Sequence, residues 1–378
     1  MEAFAKRVTL LPPYLFKKLD DLKRKYKEGL IDFGEGNPDL PPSKNIIKAF
    51  KNALNKLENH RYPKYRGELE LREAICEWYD KRFGVKLDPE TEVAVLIGSK
   101  EGIAHFIWGV CDKDDVYVTT DPIFPPYHNN PLLVGAKIFT LPLKEENNFL
   151  PDLDDLKKIR KIKLLAINFP NNPTTAFANL DFYKDLVALA QKYGFFISND
   201  NAYSEIYFEE KPPSILQVKG AKEFCCEFHS FSKSFNLSGW RLGFICGNKN
   251  LINAMMRIKE NVDTGPFKAI QEAGIYALRY EYNFPEKLRK IYLKRQNLLL
   301  PALLEYGFEI RKPKATFYLW AKIPKKEKSS LRFALKLLKE KRILAAPGSG
   351  FGKYGEGYLR FSLTVNEKLI KEAISRLK

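Results

Sequence analysis

Six short runs between residues 93 and 247 constrain this chain most: VAVLI (93–97), VYVTT (116–120), LLAINF (164–169), FFISND (195–200), CCEFH (225–229) and LGFICG (242–247). They are largely apolar and do not alternate as a half-exposed strand would, which marks strands buried on both faces. Helical stretches such as LDFYKDLVALAQKY (180–193) lie between most of them. Strand, helix, strand in repetition predicts an α/β fold with a mostly parallel sheet. In such sheets ligands gather beyond the carboxyl ends of the strands.

The flanking sequence has a different pattern. Residues 14–27 place Leu15, Leu19, Leu22 and Tyr26 on one face, an amphipathic helix that ends at Gly29. Residues 43–57 and 69–82 also read as helices, the second led by Glu68 and Glu70 at the positive end of its dipole. The last hundred residues give a long helix near 284–305, FYLWAKIP, a helix at 330–341, GYLRFSLT and a helix at 366–377. That is an α+β pattern. A chain of 378 residues is too long for one core. We therefore expect a large domain over 41–280 and a small domain over 281–378, with the N-terminal segment 1–40 packed near the small one.

The net charge of +17 raises the question of nucleic acid. The lysines are scattered and often lie beside acids, as in KKEKSS and LLKEKR, and there is no zinc-finger spacing, RNP motif or separable basic tail. A solvated surface explains them, and neither a nucleic-acid partner nor a metal site is expected. The apolar runs are far too short to span a membrane, and MEAFAKRVTLLPPYLF lacks a signal-peptide core. Five cysteines, an odd number without CxxC spacing, point to packed thiols in a reducing cytoplasm.

Six clusters at strand ends carry polar residues that a simple turn does not require. In IGSKEGIAHF (97–106) a strand turns through Gly98 and Ser99 into a helix, which is either an anion site or a capped turn. In DPIFPPY (121–127) prolines hold Phe124 rigidly, either against a planar ligand or in the core. NFPNNPTTAF (168–177) sets two Asn between prolines. In SNDNAYSEIYF (198–208), Asp200 ends an apolar strand and needs a cationic partner, such as a protonated ring nitrogen, unless it only caps a turn. In HSFSKSFNLSGWRLGF (229–244), Ser230 and Arg241 suit a phosphate. A Lys at position 233 among cations would have a lowered pKa and be ready to form a Schiff base with an aldehyde. In LAAPGSGFGKYGEGYLRFSLT (344–364), Arg360 stands mid-strand among apolar neighbours, facing either a carboxylate ligand or a structural acid.

In order along the chain, GEGNPDLP, YPKYRGELELREAI, GSKEGI, DPIFPPY, PNNPT, DNAYSEIYF, SFSKSFNLSGWRLG and GYLRFSLT resemble the class I/II aminotransferases of fold type I, over nearly the whole chain. The resemblance implies an α/β large domain with a mostly parallel seven-stranded sheet flanked by helices, a smaller α+β domain, and pyridoxal 5'-phosphate as cofactor. By resemblance Lys233 forms the Schiff base and shuttles the proton. Asp200 pairs with the ring nitrogen, Tyr203 and Asn172 hydrogen-bond the ring's phenolic oxygen, and Phe124 stacks on the ring. Ser99, Lys100, Ser230 and Arg241 hold the phosphate. Tyr62 reaches it from a partner subunit, which implies a homodimer with shared active sites. Arg360 clamps the substrate α-carboxylate, helped by the Gly36 backbone and Asn172. The substrates implied are an amino acid and a 2-keto acid, glutamate and 2-oxoglutarate among them.

Further stretches, including EFHSFSKSFNLSGWRLG and PGSGFGKYGEGYLRFSLT, look like the bacterial LL-diaminopimelate aminotransferases of lysine biosynthesis. Thr175 departs from the Gly common after PNNPT in the wider family. Arg61, Lys64 and Arg66 add cations near Tyr62, and they suit an acidic substrate equally well. Aspartate or another amino acid therefore stays open as substrate, and a C–S β-lyase on the same fold is a further alternative.

Overall fold

The structure is a computed structural model, and it describes residues 3–12 and 21–378. Part of the helix expected over 14–27 lies outside the described residues; residues 21–25 are helical. Thirteen strands are present among the described residues. They are β1 (Ile31–Asp32), β2 (Val93–Leu96), β3 (Val116–Asp121), β4 (Lys137–Pro142), β5 (Ile162–Asn168), β6 (Phe196–Asp200), β7 (Cys225–Ser230), β8 (Gly243–Gly247), β9 (Glu309–Ile310), β10 (Tyr318–Lys322), β11 (Ile343–Leu344), β12 (Ala346–Pro347) and β13 (Tyr358–Ser362).

Seven of these form the expected sheet, in the order β2-β8-β7-β6-β5-β3-β4. All neighbours are parallel except β8, which runs antiparallel to β2 and β7. The six apolar runs all became strands because both of their faces are covered. In β2, Val93 and Val95 join one core cluster, while Ala94 and Leu96 join the other. In β5, Leu165 and Ile167 alternate in the same way with Leu164 and Ala166. The strand that the periodicity missed is β4. It lies at the sheet edge with Lys137, Phe139 and Thr140 exposed, so no apolar run announces it. Cys225 and Cys226 are free and fully buried, as packed thiols should be.

The C-terminal elements form as expected, with helices Phe284–Tyr306, Ser330–Lys341 and Glu367–Leu377. A four-stranded antiparallel sheet, β12-β13-β10-β9, places Arg360 opposite Trp320 on one side and Ala346 on the other. β1 pairs in parallel with β11, which brings residues 31–36 of the N-terminal segment to this region. Among the described residues no helix is long and apolar enough to cross a membrane.

The helix Ser99–Val110 follows β2 and packs closely on Lys249–Val262. Gly109 permits that approach, since a Cβ there would fall 2.6 Å from the Ala254 carbonyl oxygen. Helix backbones cannot yield to a methyl without moving. Gly109→Ala should therefore destabilise the protein by about 1–3 kcal/mol, read as a lower urea midpoint. An unchanged midpoint would show that the two helices are not packed this tightly.

Candidate active site

The carboxyl ends of β2, β3, β5, β6 and β7 open toward one cavity of about 330 Å³. Of the residues given roles by the resemblance, all but Tyr62 line it, and the cations near Tyr62, Arg61, Lys64 and Arg66, do not. Tyr62 is 87% exposed on the surface, in the segment before the helix Leu69–Phe83. Of the cations near it, Arg66 is already engaged. Its guanidinium donates to the carbonyls of Thr91 (3.3 Å) and Val93 (3.4 Å) and to the Asn253 side chain. These carbonyl bonds hold main chain beside β2.

Asp200 is the last residue of β6 and only 5% exposed. Burial pushes its carboxyl up to about 6, against the opposing pull of the Ala202 N–H, the nearby Tyr127 hydroxyl and the Lys233 charge. The Ala202 bond is 3.2 Å long. Lys233 lies in the single helical turn Phe231–Ser234, which Ser230 caps by accepting from the Ser232 N–H. Its Nζ donates to the Gly36 carbonyl at 2.9 Å. Burial, then repulsion from Arg360 and Arg241, holds this amine at about 8. The sequence pointed to neighbouring cations as the cause, but burial is the larger one.

At the other end the chain builds an anion site from close backbone contacts. Gly98 has φ +75°, and a Cβ on it would lie 2.4 Å from Nη2 of Arg241. A Cβ on Gly243 would fall 2.9 Å from the Ser99 nitrogen. Glycine at these positions brings the N-terminus of the twelve-residue helix Ser99–Val110 against the Arg241 guanidinium, whose Nη1 is held by the Ser238 carbonyl at 2.8 Å. Free N–H groups, the helix dipole and a fork-shaped cation together favour a phosphate.

Arg360 lines the cavity as well. Its Nη1 donates to Oδ1 of Asn172 (2.6 Å) and its Nη2 to the Gly34 carbonyl (2.8 Å). The guanidinium lies 4.2 Å from the Tyr318 ring centre and 4.7 Å from that of Phe351. Asn168, which the sequence reading passed over, orders this side. Its Oδ1 accepts from the Asn172 N–H (2.8 Å), and its Nδ2 donates to the Asp200 carbonyl (2.7 Å). Tyr318 was also missed. Its hydroxyl is 2.8 Å from that of Tyr203 and stands where a Cβ on Gly36 would be. An Asn ending a strand or a Tyr inside one gives no separate signal in sequence. Thr175 is left-handed at φ +67°, a conformation that glycine adopts without strain.

Behind Asp200, Asn199 faces the other side of the sheet. It accepts from the Phe169 N–H (3.0 Å) and donates to the buried Glu227 carboxylate (2.8 Å), which also accepts from the Ile215 N–H (3.1 Å). Among the described residues one His-and-carboxylate cluster also exists, formed by Glu101, His105 and Asp263. The buried Lys259 ammonium sits among them, 3.1 Å from Glu101 and 2.6 Å from Asp263, so the chain itself supplies the positive charge there.

Residues 28–377 match the family model described as aminotransferase class I and II. The chain belongs to that family. This aminotransferase is 49% identical to the LL-diaminopimelate aminotransferase of Aquifex aeolicus, covering 100% of this chain and 99% of that one. It is 46% identical to the LL-diaminopimelate aminotransferase of Halothermothrix orenii, covering 99% and 97%. Among solved structures it resembles substrate-bound BacF from Bacillus subtilis, at 33% identity and TM-score 0.96, covering 100% and 97%. The fold type I architecture expected from the motifs is thus the aminotransferase's own.

The charge arrangement around Lys233 can be tested directly. In the cofactor-free protein this amine should be acylated with a midpoint near pH 8, while surface lysines require a higher pH. Arg360→Gln removes one repelling cation and should move that midpoint upward. A midpoint at the ordinary lysine value in the unmodified protein would contradict the burial and charge assigned here.

Proposed function

We propose that this aminotransferase binds pyridoxal 5'-phosphate in the 330 Å³ cavity and exchanges an amino group between LL-diaminopimelate and 2-oxoglutarate. One observation carries the cofactor part. A buried carboxyl near pKa 6, an amine near pKa 8 and a helix-plus-Arg anion site line the same cavity. That donor set fits the cofactor's ring nitrogen, aldehyde and phosphate. Identity near one half along the whole length of curated LL-diaminopimelate aminotransferases supports the substrate part.

Pyridoxal phosphate, when bound, supplies an aldehyde carbon for the amino group and a ring that takes up the electron pair left on the substrate Cα. Ser99, Lys100, Ser230 and Arg241 would hold its phosphate, with Tyr62 contributed by a second copy in a homodimer. Asp200 would ionise beside a protonated ring nitrogen, because a cationic partner offsets the cost of burying its charge. Phe124 would cover a ring face, and Tyr203 and Asn172 would hydrogen-bond the phenolic oxygen. Arg360 would clamp the substrate α-carboxylate, helped by the Gly36 backbone and Asn172.

Lys233 would hold the aldehyde carbon covalently until substrate displaces it. Its released amine would then take the proton from the substrate Cα. Burial holds that amine below the ordinary lysine value in the empty cavity, which favours the neutral form that accepts a proton. The division into a large domain (41–280) and a small one (281–378, with 1–40) belongs to the same proposal, as does a cytoplasmic location.

The substrate is tested by a half-reaction on the cofactor-loaded enzyme, following conversion of the cofactor from aldehyde to amine form. LL-diaminopimelate and glutamate should convert it rapidly and aspartate slowly. Fast conversion by aspartate, with none by LL-diaminopimelate, would replace the substrate, and release of pyruvate with ammonia from cystathionine, without a keto-acid acceptor, would indicate a β-lyase. Arg360→Lys should raise KM about tenfold or more for every carboxylate substrate, since Lys lacks the planar fork. An unchanged KM would remove Arg360 from the substrate site.

A further inference from the structure

Five charged side chains of the cavity wall, Lys100, Asp200, Lys233, Arg241 and Arg360, have roles in the proposal above. Glu35 lines the same cavity and has none. Its place is fixed from several directions. The carbonyl before it, on Gly34, accepts from Arg360 at 2.8 Å, and the carbonyl after it, on Gly36, accepts from Lys233 at 2.9 Å. The Glu35 carbonyl itself accepts from the Thr364 hydroxyl at 3.2 Å. Glu35 therefore sits on main chain that touches both the proposed carboxylate clamp and the proposed catalytic amine.

The charge at this point is unbalanced. The Lys23 ammonium pairs with the Glu35 carboxylate and also lies 2.7 Å from Asp32. One ammonium thus serves two carboxylates. Asp32 is held in turn by the Gly34 N–H at 2.7 Å, so Lys23 keeps a fixed partner if Glu35 turns to another cation. Four of the other five charged groups lining the cavity are positive. Asp200 is the exception, and it faces the cofactor in the proposal above. A substrate with a carboxylate on Arg360 and an ammonium farther along its chain would meet Glu35 as the negative group left for it. A distal carboxylate reaching the same place would meet like charge.

We propose that Glu35 binds the distal ammonium of the substrate, and so selects diamino acids over amino acids of the same length that lack the second amine. This rests on the assignment of the cavity as the aminotransferase site and names its substrate class. Glutamate ends nearer its Cα than LL-diaminopimelate does, so its side-chain carboxylate stops short of the place where the distal ammonium would be read.

The test compares LL-diaminopimelate with L-2-aminopimelate, which keeps both carboxylates and lacks the second amine, on the cofactor-loaded wild type and on Glu35→Gln. The wild type should favour LL-diaminopimelate by roughly 10- to 100-fold in kcat/KM, the range of a charge-assisted hydrogen bond. In Glu35→Gln the two compounds should come within about threefold, with the loss in KM and not in kcat. Calorimetric binding of the two compounds should divide in the same way, which a general loss of folding would not produce. A wild type that uses both pimelates equally, or a Glu35→Gln variant that keeps the wild-type ratio, overturns the role of Glu35 and leaves the aminotransferase site standing. A wild type that uses aspartate but neither pimelate overturns both this inference and the proposed substrate.

Discussion

The Arg360 guanidinium ties together three parts of the chain that are remote in sequence. Through Asn172 and Gly34 it bridges 188 and 326 residues. One bond reaches the loop beyond β5 in the large sheet, the other reaches the segment after β1, and Arg360 itself lies in an inner strand of the small antiparallel sheet. Leaving such a buried charge without its partners would cost several kcal/mol, so the three segments hold their relative positions or pay that penalty. The Tyr318 and Phe351 rings beside the guanidinium add cation–π contacts that a bulk-solvent Arg would lack. This part of the cavity wall is therefore set by an electrostatic constraint among buried groups.

The same constraint makes the site reactive. Lys233 is pushed down to about 8 chiefly by burial and then by Arg360 and Arg241, while Asp200, buried nearby, is pushed up to about 6. Neither group has its ordinary ionisation, and both shifts cost folding stability. Opposite shifts on an amine and a carboxyl that share one cavity are the pattern of a site prepared for a ligand with its own charges. A phosphate would answer Arg241 and the Ser99 helix, and a protonated ring nitrogen would answer Asp200. The polar scaffolding on the far side, Asn199 with Glu227, and on the near side, Asn168, ensures that these unfavourable positions are held without slack.

Much of this was legible in the sequence because both signals are local. Runs such as VAVLI and CCEFH are apolar on both faces, so burial dictates strands, and the unusual polar residues stand immediately after them. What was not legible depended on the third dimension. β4 is an edge strand whose exposed residues carry no apolar pattern. Asn168 and Tyr318 become important only through partners in other segments, and Glu35 only through the cavity it faces. The bonds of Arg66 to the Thr91 and Val93 carbonyls are another such long-range feature, with no mark in the sequence. Thr175 stood out as a departure from glycine, and the fold shows why glycine would suit the position, since the chain there is left-handed.

The central claim is that Lys233 holds the cofactor. The most direct measurement is borohydride reduction of the protein loaded with pyridoxal phosphate, followed by proteolysis and mass spectrometry to locate the reduced adduct. The account predicts a single adduct on the peptide containing Lys233, at one per chain. An adduct on another lysine, or none at Lys233 with the cofactor bound, would contradict it.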